Sequence, residues 1–455
     1  MKIRDFLNVK KLKNLCTLAV VLGIAFFVTS CAREDGPGGA TTPATGPQIT
    51  SQGITDYEIL IGSTFMASGV FAFIGVPIID TMVAVFERAN AHGGIGGRQI
   101  TFLHHDDNND PITGRILLER LLEEYQVFAL SVISGVNAPM SLEYMREFGA
   151  PVLGITGGIA FMYSEYDPGS NIFIIQPSNG LDGPLMLAHG LTQNLFGPNR
   201  DQRMSQDAMI GLMFPNTDAG NDVYNGIADL AEYLGITHRI MAEIVTPETY
   251  FTIIQQMIDA NVELLLVGSL DTMGITAAMS DAGWYVPVIG AYGTSTVASH
   301  TPEIYSPDRR IFATIWAQDI TPEARAFLDD MGNALTYHPT LDEATAISYV
   351  DNGFARAGFI TAMALIVALE RMEATGQDWT WENFINVMEA EPFLLGGTPE
   401  FSFAGGRRMG VESLALWEYT AHMGPDGQWI EEQHIRTDFV TVEELVADIR
   451  AYWGQ

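Results

Sequence analysis

From Asp56 onward, short apolar runs alternate with helix-length segments, and this rhythm constrains the fold more than any other feature. Residues 57–62, 99–105, 127–133 and 152–155 are strand-length and rich in Ile, Leu and Val. Between them, 77–91, 112–125 and 138–148 carry helical periodicity. Such alternation marks βαβ units stacked on a parallel sheet. Residues 171–176 read as a further strand. A second series follows Pro177, with strands expected at 208–214, 239–245, 263–268 and 286–290 and helices at 219–233, 251–260 and 272–282. Helices return at 322–335, 344–373 and 381–390, before a strand at 414–420 and a last helix at 442–452. No repeat period is visible. About 400 residues exceed what one core holds, so the expectation is an α/β protein of two lobes.

The first fifty residues obey different rules. Lys2, Arg4, Lys10, Lys11 and Lys13 precede an apolar run over 15–28, too short to span a bilayer as a helix. The run ends in Val28-Thr29-Ser30-Cys31, which resembles a bacterial lipobox, so 1–30 are read as a lipoprotein signal peptide and Cys31 as the lipidated residue. Residues 31–54 are read as a tether, because 33–50 are rich in Gly, Pro and Thr and bury too little to offset ordering. The other cysteine, Cys16, lies inside the signal, so no disulfide or Cys-metal site is expected. Removing 1–30 takes five cations and one anion from totals of 23 and 55, leaving a net charge of −36. All the remaining cations are arginines. So acidic a surface argues against nucleic acid, or an anionic membrane, as a partner of the folded part.

Residues 104–110, HHDDNND, invite a metal-site reading, which fails on spacing. An EF-hand beginning at Asp106 needs glycine where Pro111 stands and glutamate where Leu117 stands. On a strand, His104 and His105 point to opposite faces and cannot share one ion. Asp110-Pro111 is instead a helix start, with aspartate as N-cap and proline in the first turn.

The block 88–97, RANAHGGIGG, followed by Asp106-Asp107 and Asp110-Pro111, resembles the leucine/isoleucine/valine-binding family of type I solute-binding proteins of ABC importers. Residues 362–371, AMALIVALER, resemble that family's late long helix, and the likeness spans about 56–429. It implies two Rossmann-like lobes joined by three crossover strands, with the ligand cleft between them. The crossings would fall near 175–177, 315–317 and 398–400. Lobe 1 would then comprise 55–176 and 318–399, and lobe 2 would comprise 177–317 and 400–455.

Ligands of open α/β sheets bind beyond the carboxyl ends of strands and between domains. Three loops of lobe 1 are so placed: the one carrying Phe73 as an aromatic wall, Ser134-Gly135, and Thr156-Gly157-Gly158. Hydroxyls and amides there suit a carboxylate, and glycine permits close approach. The resemblance gives Ser134 and the Thr156 loop this role. In lobe 2 the chain departs from the family, whose ammonium-binding glutamate is matched by Tyr292, while Ala219 stands where an aromatic is usual. A phenol cannot neutralise an ammonium. Asp218 is one substitute and Asp271 another, although both also suit helix N-caps.

No nucleophile elbow, His-Glu-x-x-His helix or Walker loop is present, so no enzyme, metal or cofactor is expected. Gly405-Gly406-Arg407-Arg408 reads as a turn with solvated arginines. The expected function is a lipid-anchored, extracytoplasmic receptor of an ABC importer. It would bind a branched-chain amino acid or a related small carboxylate or amide and pass it to a membrane permease. A ligand-sensing surface receptor of the same fold is the alternative, and a metal-dependent hydrolase built on 104–110 a third.

Overall fold

The computed structural model describes residues 51–158, 167–197, 201–269, 271–295, 310–317, 321–423, 425 and 429–454. Two separate sheets organise them. In the first, β1 (Glu58–Thr64), β2 (Gln99–His105), β3 (Ala129–Ser134), β4 (Val152–Thr156) and β5 (Ile172–Phe173) run parallel in the order β2-β1-β3-β4-β5. Helices α1 (Ala72–Ala91), α2 (Pro111–Glu119) and α3 (Ala138–Phe148) make the crossovers. Every residue of β3 is buried, as expected for a central parallel strand covered on both faces.

The second sheet follows α4 (Asn179–Thr192). Its strands β6 (Met209–Phe214), β7 (Ile240–Ile244), β8 (Val262–Val267), β9 (Val288–Gly290) and β10 (Ile311–Ile315) are parallel. Between them lie α5 (Asp218–Leu234), α6 (Tyr250–Asp259) and α7 (Thr272–Asp281), with a short turn of helix, α8 (Tyr292–Ser295), after β9. Strands β11 (Ser413–Met423) and β12 (Trp429–Ile435) add on antiparallel at the β10 edge.

After β10 the chain returns to the first sheet. There it forms α9 (Pro322–Leu335), α10 (Glu343–Val350), α11 (Gly353–Thr375) and α12 (Trp381–Ala390), and α13 (Val442–Trp453) closes the chain against α4. The expected helix over 344–373 is two helices. Asn352 accepts the Phe354 and Ala355 amides at 2.8 and 3.1 Å, which caps α11 and forces the break.

Two expected boundaries move. Residues 51–54 are packed rather than tethering: Gln52 Nε2 donates to the Leu122 and Val127 carbonyls, and Ile54 is buried. The last crossing, expected at 398–400, comes after Gly410. Met409 bridges to Ile174, Phe401 stacks on Phe393, and Phe403 meets Phe173 edge to face beside the first sheet. One buried apolar cluster runs through both sheets and joins them at Ile175, Tyr292 and Trp316.

Candidate ligand-binding cleft

The carboxyl ends of β3 and β4 lie side by side, with Ser134 paired to Thr156 in register. Ser134 is buried, and its hydroxyl donates to Asn109 Oδ1 at 2.9 Å. The next amide, that of Gly135, donates across to the Thr156 carbonyl at 2.5 Å. Gly157 then accepts Asn179 Nδ2 at 3.1 Å, and the Gly158 carbonyl accepts the Asn179 amide at 2.8 Å. Asn179 opens α4, so this loop of the first lobe is tied to the first helix of the second.

Tyr292 completes the arrangement from the second lobe. It follows β9, is buried, and its Oη accepts Gln176 Nε2 at 2.7 Å. A side chain on Gly158 would place Cβ 2.7 Å from that oxygen, at a φ of +62° that only glycine adopts readily. Behind Tyr292 stands Asp182 of α4, wholly buried. It accepts the Tyr292 amide at 2.7 Å and the Thr314 hydroxyl on β10. Burial pushes the Asp182 carboxyl up to about 7. Burial, with the Asp182 charge second, also holds the Tyr292 phenol above its ordinary range, so it stays neutral.

Six of the expected contact residues therefore come together: Ser134, Gly135, Thr156, Gly157, Gly158 and Tyr292. The other two stand outside the bonded set. Phe73 lies in the first turn of α1, largely exposed, with its ring 6.0 Å from Phe354. Asp218 is exposed at the start of α5, where Thr217 is the cap. Asp271 is a helix cap, accepting the Gly274 amide and the Tyr250 hydroxyl, both at 2.9 Å. Cys31 lies outside the described residues.

Sequence reasoning missed Asp182, Asn179 and Asn109 as parts of the site, and treated Gln176 only as a crossing residue. Asp182 did leave a signal, as a lone acid in an otherwise uncharged stretch. Asn109 belongs to HHDDNND, and its left-handed backbone (φ 58°) turns its amide toward Ser134. Asp107 braces the same turn. It accepts the Thr64 hydroxyl at 3.0 Å and the Asn109 amide at 2.8 Å, and burial raises its carboxyl above the usual range. Asp110 caps α2 through the Thr113 amide at 2.7 Å, with Pro111 next. His104 lies near Phe102 and His105 near Tyr125, on opposite faces. Among the described residues no three His, Cys, Asp or Glu side chains are grouped to hold a metal.

Arg408 corrects the reading of a solvated turn. It is buried, pairs with Glu389, donates to the Ser170 carbonyl at 3.1 Å and lies 4.7 Å from the Phe173 ring centre. An arginine fork can be buried where its donors are all met, and a run of two arginines does not disclose which one turns inward.

A family model described as "Periplasmic binding protein" matches residues 58–421. The chain belongs to that family. No curated protein sequence matches it. Solved structures share the type I fold of this periplasmic binding protein. A fatty acid ABC transporter substrate-binding protein from Thermomonospora curvata has a TM-score of 0.67 at 17% identity, covering 90% of this chain and 98% of that one. A branched chain amino acid ABC transporter protein from Thermus thermophilus with bound valine gives 0.65 at 14%, covering 88% and 100%. A possible leucine/isoleucine/valine-binding protein from Rhodopirellula baltica gives 0.57 at 12%, covering 86% and 98%.

Proposed function

We propose that this periplasmic binding protein is the extracytoplasmic receptor of an ABC importer. In this reading it is anchored by lipid on Cys31 and closes on a small organic ligand, a branched-chain amino acid or a related small carboxylate or amide. The observation that carries the reading is the meeting of the Ser134 and Thr156 strand ends with Tyr292 across the two lobes. Ligand would favour the closed form because only there do both lobes touch it. The neighbours named for ABC transport of a fatty acid and of branched-chain amino acids support the class.

A thermal-shift screen of amino acids, amides and short acids tests it. A ligand at a hundred times its dissociation constant stabilises by about 2.7 kcal/mol, and Ser134→Ala is expected to shrink that shift. An unchanged shift in the variant removes the cleft assignment. For the anchor, fatty-acid labelling of cells should tag the wild type and not Cys31→Ser. Equal labelling of both rules out lipidation at Cys31.

A further inference from the structure

The floor of the cleft is a cavity of about 10 Å3, room for about one water. Its polar lining is Thr156, Gln176, Trp316 and Thr361, and the rest is aliphatic or glycine, so among the described residues no charge faces it. Two buried carboxylates brace the residues of the site, Asp182 behind Tyr292 and Asp107 behind Asn109, and both oxygens of each are engaged. Those of Asp182 take the Tyr292 amide and the Thr314 hydroxyl. Those of Asp107 take the Thr64 hydroxyl and the Asn109 amide. The second lobe presents a phenol, whose oxygen already takes a hydrogen from Gln176. An ammonium brought here loses its water and meets no opposite charge among the described residues, an unfavourable exchange. A carboxylate or carbonyl instead suits a lining that carries the Thr156 hydroxyl and the Trp316 indole and no described charge.

We propose that the cleft selects small apolar carboxylic acids that carry no ammonium group, with Asp182 as the positioning residue that fixes Tyr292 as a neutral wall. Asp182 can do so because it joins three segments: the start of α4, the loop after β9 and the end of β10. This inference rests on the receptor reading above and narrows its ligand.

The test is calorimetric titration of the full chain in detergent with two matched sets of acids. One set is L-leucine, α-ketoisocaproate and isocaproate, and the other is L-phenylalanine, phenylpyruvate and hydrocinnamate. Within each set only the α substituent changes. In at least one set a nitrogen-free acid is expected to bind about a hundredfold more tightly than the amino acid. Tyr292→Glu, which adds a carboxylate, should move that ratio at least about tenfold toward the amino acid. Asp182→Ala should weaken the preferred acid and speed hydrogen exchange at the Tyr292 amide, while Asp182→Asn, still able to accept that amide, retains both. An amino acid that binds as tightly as its nitrogen-free partners overturns the selection and leaves the receptor reading standing. Silence from all six ligands, with wild type and Tyr292→Glu both folded by circular dichroism, overturns the selection, and silence in the thermal-shift screen as well overturns the receptor reading. Unchanged exchange in a folded Asp182→Ala removes the positioning role.

Discussion

Asp182 and His104 are both withdrawn from water, and burial moves their protonation in opposite directions. The Asp182 carboxyl rises from 3.8 to about 7, so between those values the folded chain holds a proton that the unfolded chain has released. Its contribution to stability is therefore full below about pH 4 and is lost as pH rises through 7. A rise from 3.8 to about 7 corresponds to on the order of 4 kcal/mol. Asp182→Asn should remove this slope, and melting temperatures of both proteins from pH 4 to 8 check it. Parallel curves would refute it. Burial lowers the His104 imidazole from 6.5 to about 4, so there the unfolded chain binds the extra proton. That stability is present above pH 6.5 and is lost as pH falls through 4. His104→Leu should flatten the acid limb of the curve, and an acid limb as steep as wild type would count against it. None of this was legible from residue type alone. An aspartate in a helix and a histidine on a strand are ordinary until packing fixes what surrounds them.

Among the elements, legibility followed amphipathicity. Helices α3, α9 and α12 were read to the residue because each keeps one apolar and one polar face, and α9 begins with Pro after a threonine cap. Helix α4 went unread. From Asp182 to Thr192 every residue is buried, so no polar stripe marks its period, and Gly180, Gly183, Pro184 and Gly190 look like breakers. It is the helix that carries Asp182. Strand β10 was also unread as a strand, though its register decides a buried ion pair. Antiparallel pairing sets Phe312 opposite Glu418, and Arg310 grips that carboxylate at 2.6 and 2.9 Å. Arg436 approaches the same group at 3.4 Å. Glu418→Ala strands a buried guanidinium and should cost about 3–5 kcal/mol in urea denaturation. A loss below about 1 kcal/mol, the range of an exposed pair, would show that Arg310 finds water or another partner. Beside the cleft, Val132 and Gly154 share left-handed backbone at the skipped position of the β3–β4 register. A β-branched residue there is strained, and it lines the cavity floor.

At the scale of the whole molecule, the proposed function depends on the approach of two sheets that share one apolar cluster. An added Cβ at Gly158 would stand 2.7 Å from the Tyr292 oxygen, so Gly158→Val should hold the lobes apart. Small-angle scattering should then give the variant a larger radius of gyration than wild type, and identical profiles would show that the contact does not govern closure. The sequence by itself determined the fold class, the two-lobe plan, the loops that carry Ser134 and Thr156, and the structural nature of HHDDNND. Each is written in local terms: apolar period, turn chemistry, cap residues and the order of strands. Tertiary structure alone decided that Asn109 serves Ser134, that Gln176 and Gly158 meet Tyr292, that Arg408 turns inward, and that Asp182 holds the loop after β9 from 110 residues away. Those outcomes depend on which groups lose water together, and burial is a property of the assembled chain rather than of any segment of it.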